Sequence, residues 1–236
     1  MNLIKNKWSN NDIEEFQQYL LTYKDSEKVE WATNMLRTKL PVLCMQIKDM
    51  KYIVEEIFKG NYESFLDHMI WEYYENTAIN GYIINNINDF NTKKKYLDAY
   101  SELCDNWATC DLLIFNVKGY EKQYFDLAQS YIKREKPFIK RIGLSILFNY
   151  IKNDEYIERI YEIIDSLNKE EDYYVNMMNA WLLSECFIKR KERTIKYLEN
   201  NKLNKFTINK AVQKCRESRR VSKEDKDYLL KYKVKL

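Results

Sequence analysis

Four glycines and two prolines punctuate 236 residues, and that scarcity constrains the fold more than any other feature of the chain. A β-rich chain must reverse direction about every ten residues. Those reversals draw on Gly for positive φ and on Pro for a fixed bend. With so few of either, the chain reads as almost wholly helical, with links made of Asn, Asp, Lys and Ser.

Hydrophobic spacing agrees. In NNDIEEFQQYLLTY, Ile13, Phe16, Tyr19 and Leu20 form one helical stripe. Pro41 suits the first turn of a helix running through VLCMQIKDMKYIVEEIF to Gly60, since its missing N–H would be unpaired there anyway. Asn61 then caps NYESFLDHMIWEYYEN, and NGYIINNI, TKKKYLDAYSELC and NWATCDLLIFN follow. YEKQYFDLAQSYIKR, PFIKRIGLSILFNYI (Pro137 again at a first turn), DEYIERIYEIIDSL and DYYVNMMNAWLLSECFIK continue the pattern. ERTIKYLEN, FTINKAVQKCRESRR and SKEDKDYLLKYK close it. Many helices of modest length joined by short polar links fit stacked helix pairs of HEAT type better than one four-helix bundle. Direct repetition is poor. EWATNML, Glu30–Leu36, echoes NWATCDL, but Met35 stands where Asp111 would be, and a match that short is expected by chance. No low-complexity linker interrupts the chain, so one continuous domain over residues 1–236 is expected.

The five cysteines are scattered, no CxxC pair occurs, and His68 is the sole histidine. A zinc site needs clustered ligands, so neither metal nor cofactor is expected. Free thiols suit a reducing cytosol. MNLIKNKWSNND lacks an apolar core of signal-peptide length, and no apolar run reaches membrane-spanning length. The expectation is a cytoplasmic protein with no membrane partner, and a monomer, since a continuous solenoid closes its own core.

Charge is unevenly placed. Residues 187–236 hold 17 Lys/Arg against 6 Asp/Glu, while the preceding residues hold 22 against 30. A basic block beside an acidic body points either to a polyanion partner or to a solvated helical surface.

Dinucleotide, P-loop and nucleophile-elbow motifs are absent. His68 reads as a surface or capping residue, and Glu72 and Glu75 as surface charges. Trp107 and Asp111, spaced i, i+4, share a helix face. Arg141 in FIKRIGLSIL and Trp181 in NMMNAWLLSE lie in similarly apolar segments. These groups either converge on one concave surface or are two core tryptophans, a helix-start aspartate favoured by the helix dipole, and its arginine partner.

The ordered set of NWATCD, PFIKRIG, YYVNMMNAW, NKAVQKCRESRRVS and SFLDHMIWEYYEN resembles the AlkD-like DNA alkylation repair family over some three quarters of the chain. The resemblance implies an all-α fold, a right-handed α-α superhelix of HEAT-like helical repeats forming a solenoid. It implies an enzyme that removes cationic N3- or N7-alkylated purines from double-stranded DNA without a cofactor. Carried over, Asp111 matches the catalytic carboxylate, Trp107 and Trp181 the active-site indoles, and Arg141 a basic residue on the DNA face, with Lys140 beside it. Tyr173 and Tyr174 match an aromatic pair beside the DNA backbone. Lys210, Lys214, Arg216, Arg219 and Arg220 would neutralise phosphates, positioning the duplex without reading sequence. One departure stands out. Ser184 occupies the place, three residues after Trp181, where glycosylases of this kind carry Arg, with Lys189 and Arg190 about two turns on. The competing expectations are a non-catalytic HEAT-like protein that binds damaged or distorted DNA, and a helical scaffold for protein partners.

Overall fold

The computed structural model describes residues 1–234. Among them are fourteen α-helices and a final 3₁₀ turn, Leu229–Tyr232, and no strand. The chain divides into two compact units, Met1–Phe115 and the remainder from Asn116. Among the described residues no helix is long and apolar enough to cross a membrane.

The first unit contains α1 (Asn10–Leu21), α2 (Val29–Leu36), α3 (Ile47–Lys59), α4 (Tyr62–Leu66), α5 (Tyr74–Asn86), α6 (Phe90–Leu103) and α7 (Trp107–Asp111). Ser9 and Asp12 form a reciprocal capping box that starts α1. The stripe expected there is real: Phe16 and Leu20 are fully buried. Phe16 packs edge-on against Trp8 and Phe65, and those two rings meet with centroids 4.9 Å apart. Such edge contacts add about 0.5–1.5 kcal/mol each beyond the area they bury. In the same unit α3 packs on α4 and α5, and α5 packs on α6 and α7. Gly81 lets α5 approach closely, because a Cβ there would lie 2.4 Å from the Leu112 side chain and 2.9 Å from the Tyr100 hydroxyl.

The second unit contains α8 (Glu121–Ile132), α9 (Pro137–Leu147), α10 (Ile157–Ser166), α11 (Tyr173–Lys189), α12 (Lys191–Leu198), α13 (Lys205–Glu217) and α14 (Lys223–Tyr228). Pro137 opens α9 as its spacing predicts. Helix α8 packs on α9; α9 packs on α11, and α11 on α13, so alternate helices stack in chain order. Tyr161 of α10 stacks on Tyr197 of α12 at 4.5 Å. Paired helices stacked through alternate members are the pattern of HEAT-like repeats.

Three expected helices are interrupted. Pro41 does not start α3. Cys44 lies in the left-handed region at φ 64°, which stops any helix from passing, and α3 begins only at Ile47. Asn61 does cap α4, accepting from the Ser64 N–H at 2.9 Å, but α4 ends at Leu66. Met69 there takes φ 38°, and the Ile70 carbonyl is claimed by the Asn80 side-chain amide at 2.8 Å. NWATCDLLIFN is helical only over its first half.

Glu75 also departs from its expected place. Expected on the surface, it is 1 % exposed. Its carboxylate accepts the backbone N–H groups of Leu43, Cys44 and Met45 at 2.9, 2.7 and 3.3 Å. The left-handed turn at Cys44 aims these amides at one acceptor, as backbone anion nests do. Burial still pushes the Glu75 carboxyl above the ordinary carboxylate range, against the opposing pull of those N–H groups.

Candidate functional site

Asp111 sits at the end of α7, not at its start, which overturns the helix-dipole reading of this residue. The start belongs to Asn106. Its side-chain oxygen accepts from Ala108 and Thr109 N–H at 3.0 and 3.1 Å, satisfying two of the helix's orphan donors. Its amide donates to Asp105 at 2.8 Å. Asp105 in turn accepts from the Thr38 hydroxyl and, at 2.7 Å, from the Lys39 N–H, which ties α7 to the end of α2. The buried Tyr100 hydroxyl donates to the Thr109 carbonyl at 2.9 Å.

Beyond Asp111 the backbone runs on without helix. The Asn85 side chain pairs with it in both senses, donating to the Leu112 carbonyl at 2.9 Å and accepting the Ile114 N–H at 2.7 Å. Buried Lys93 donates to the Ile114 carbonyl at 3.1 Å and to Asn85's own carbonyl at 3.3 Å. An amide side chain thus replaces the hydrogen bonds that the next helical turn would have made. Asp111 is half-buried, between backbone that Asn106 fixes before it and Asn85 fixes after it. Trp107, one turn earlier on the same face, is half-buried, and its indole N–H donates to the Met35 carbonyl at 3.3 Å.

The other expected site residues belong to the second unit. Arg141 on α9 is 6 % exposed and donates to the Tyr174 carbonyl at 2.7 Å. Trp181 on α11 is 39 % exposed, rests edge-on against Phe148 and has the Lys214 ammonium 5.7 Å from its ring centroid. Tyr173 is exposed and touches Tyr174 and Phe206 edge-on.

The cations divide into two groups. Lys140 is paired with Glu170 at 2.5 Å. Arg220 grips Glu185 with both terminal nitrogens, so its charge is already matched. Lys210 donates to Gln213 at 3.1 Å. Arg216 and Arg219 are exposed, and among the described residues neither has a carboxylate at ion-pair distance.

Ser184 lies 3 % exposed within α11, its hydroxyl bonded to the Trp181 carbonyl at 2.7 Å, and its own carbonyl faces the Cys215 thiol of α13. Lys189 is held by Glu185 at 3.6 Å, and Arg190 by the Ile151 carbonyl and Asp154. Both nearby cations are therefore engaged elsewhere.

Sequence reasoning missed Asn85, Lys93, Asp105 and Asn106. Asn106 alone left a local signal, an amide directly before a helical segment. The others act through contacts distant in sequence.

The family model of the DNA alkylation repair enzymes matches residues 16–215 of the chain. No curated protein matches it.

Proposed function

Because the chain belongs to the DNA alkylation repair enzyme family, we propose that it is a monomeric glycosylase that excises cationic N3- and N7-alkylated purines from duplex DNA and needs no metal. The carrying observation is the pair of clamps on the backbone that flanks Asp111, Asn106 capping Ala108 and Thr109 before it and Asn85 bonding Leu112 and Ile114 after it. A carboxylate carried on backbone fixed in this way stabilises developing positive charge with little reorganisation of its support as the reaction proceeds.

The chemistry suits the residues. Alkylation leaves the purine ring positively charged. When the C1′–N bond breaks, its electron pair returns to the ring, and a neutral base departs without needing a strong acid. Positive charge moves to the sugar, as in other glycoside cleavages. Asp111 stabilises that charge and orients a water. The water oxygen bonds to C1′ and releases its proton to solvent. Trp107 and Trp181 offer indole faces to cationic or polarised groups, at about 0.5–2 kcal/mol each. Arg141, braced by the Tyr174 carbonyl, is assigned to the DNA backbone, with Tyr173 and Tyr174 beside it. Lys210, Lys214, Arg216 and Arg219 supply sequence-independent attraction to phosphates.

Ser184 favours one second reading, a DNA-binding protein that recognises damaged duplex without turnover. The guanidinium expected after Trp181 is missing, and Lys189 and Arg190 are held elsewhere. Mass-spectrometric analysis of bases released from treated duplexes separates the two. A glycosylase of this design releases 3-methyladenine and 7-methylguanine and leaves uracil and hypoxanthine, whose neutral rings need protonation to depart. Tight binding with no release would replace it by the second reading.

A further inference from the structure

Trp31 is 65 % exposed, the most exposed of the chain's large apolar side chains after Ile114, and it makes no ring contact among the described residues. One turn along α2, Met35 is 44 % exposed on the same face. The Met35 carbonyl receives the Trp107 indole N–H, so the C-terminal end of α2 abuts Trp107. Arg37 closes α2 in the left-handed conformation, at φ 54°. Arg37 and Lys39 are exposed, and among the described residues neither has a carboxylate at ion-pair distance. The Lys39 backbone is fixed by Asp105, beside the cap of α7. Glu27 and Glu30 lie at the other end of α2, and the Asp105 carboxylate at this end is already engaged by the Thr38 hydroxyl and the Lys39 N–H.

An exposed indole beside unpaired cations is the combination that holds an unstacked nucleobase and its phosphates. Rings of this kind accept any base face, and the cations follow the backbone. We propose that α2 carries a nucleobase-stacking site: Trp31, flanked by Met35, takes a base unstacked at a gap in duplex DNA, and Arg37 and Lys39 neutralise the adjoining phosphates. The site rests on the reading of this protein as one that acts on DNA. It extends the Asp111 region of the first unit by a surface that recognises disrupted stacking and not the alkyl group itself.

Fluorescence anisotropy with two labelled duplexes tests this, one fully paired and one with a tetrahydrofuran abasic site opposite thymine. The wild type binds the gapped duplex more tightly. Trp31→Ala removes that preference, weakening binding to the gapped duplex about tenfold, while Trp31→Phe keeps most of it. Replacing Arg37 and Lys39 by Ala weakens binding to both duplexes alike and flattens the salt dependence by about two in slope. Because Trp31 is exposed, its loss leaves the melting temperature unchanged. Trp31→Ala binding both duplexes as the wild type does would overturn the proposal. A lost preference without base release would keep the stacking site and remove the glycosylase, whereas a wild type that binds neither duplex would remove both.

Discussion

Lys93 shows how a single residue supports the region around Asp111. It is 3 % exposed, and its ammonium reaches two carbonyls, one of them in the segment that follows Asp111. Burial pushes its pKa down to about 8. The unfolded chain binds this proton more tightly than the folded one, so the contribution of Lys93 to stability rises as pH climbs through 8 towards the usual lysine range. Compared with Lys93→Met, the wild type should gain about 2 kcal/mol of unfolding free energy between about pH 7.5 and 9.5. Denaturant melts across that range check it, and parallel stabilities of the two proteins would refute the buried charge. Residue types announced neither Lys93 nor Glu75. In a sequence, a lysine in TKKKYLDAY and a glutamate in WEYYEN look like any solvated charge. Only the fold brings Ile114 to one and the Leu43–Met45 amides to the other.

At the scale of elements, period and punctuation carried much of the reading. The Phe16 and Leu20 stripe and the Pro137 start of α9 are where hydrophobic spacing and proline geometry put them. Periodicity failed where apolar residues continue but the backbone bonds elsewhere. Leu112–Phe115 are as apolar as a helix interior, yet Asn85 takes their backbone groups. Helix α7 has five residues and depends on its cap. Asn106→Ala therefore costs about 1–2 kcal/mol in stability, and because the cap also fixes where α7 ends, the substitution slows base excision more than it weakens DNA binding. Single-turnover rates and dissociation constants measured on the same variant check this. Equal losses in both would show that the cap serves folding alone.

For the whole molecule, scarce glycine and proline already excluded a β-rich chain, and the ordered motifs between Ser64 and Ser222 carried the family whose model matches residues 16–215. The composition of the tail could not tell which cations are free. Arg220 and Arg219 are adjacent in sequence, yet the first is matched by Glu185 and the second is exposed. Replacing Arg216 and Arg219 by Ala should lower the slope of log affinity against log salt by about two, equally for intact and damaged duplex. Arg220→Ala should act chiefly on stability, since it leaves Glu185, 6 % exposed, with only the longer contact to Lys189. Binding titrations at several salt concentrations distinguish these roles.

The most direct measurement is single-turnover release of 7-methylguanine and 3-methyladenine from methylated duplex by the wild type and by Asp111→Asn, with duplex affinity measured alongside. The amide keeps the size of the side chain and removes its charge. An electrostatic Asp111 gives excision by the wild type, a loss of about a hundredfold or more in the variant, and unchanged duplex affinity. Equal excision by both proteins would contradict the electrostatic role given to Asp111.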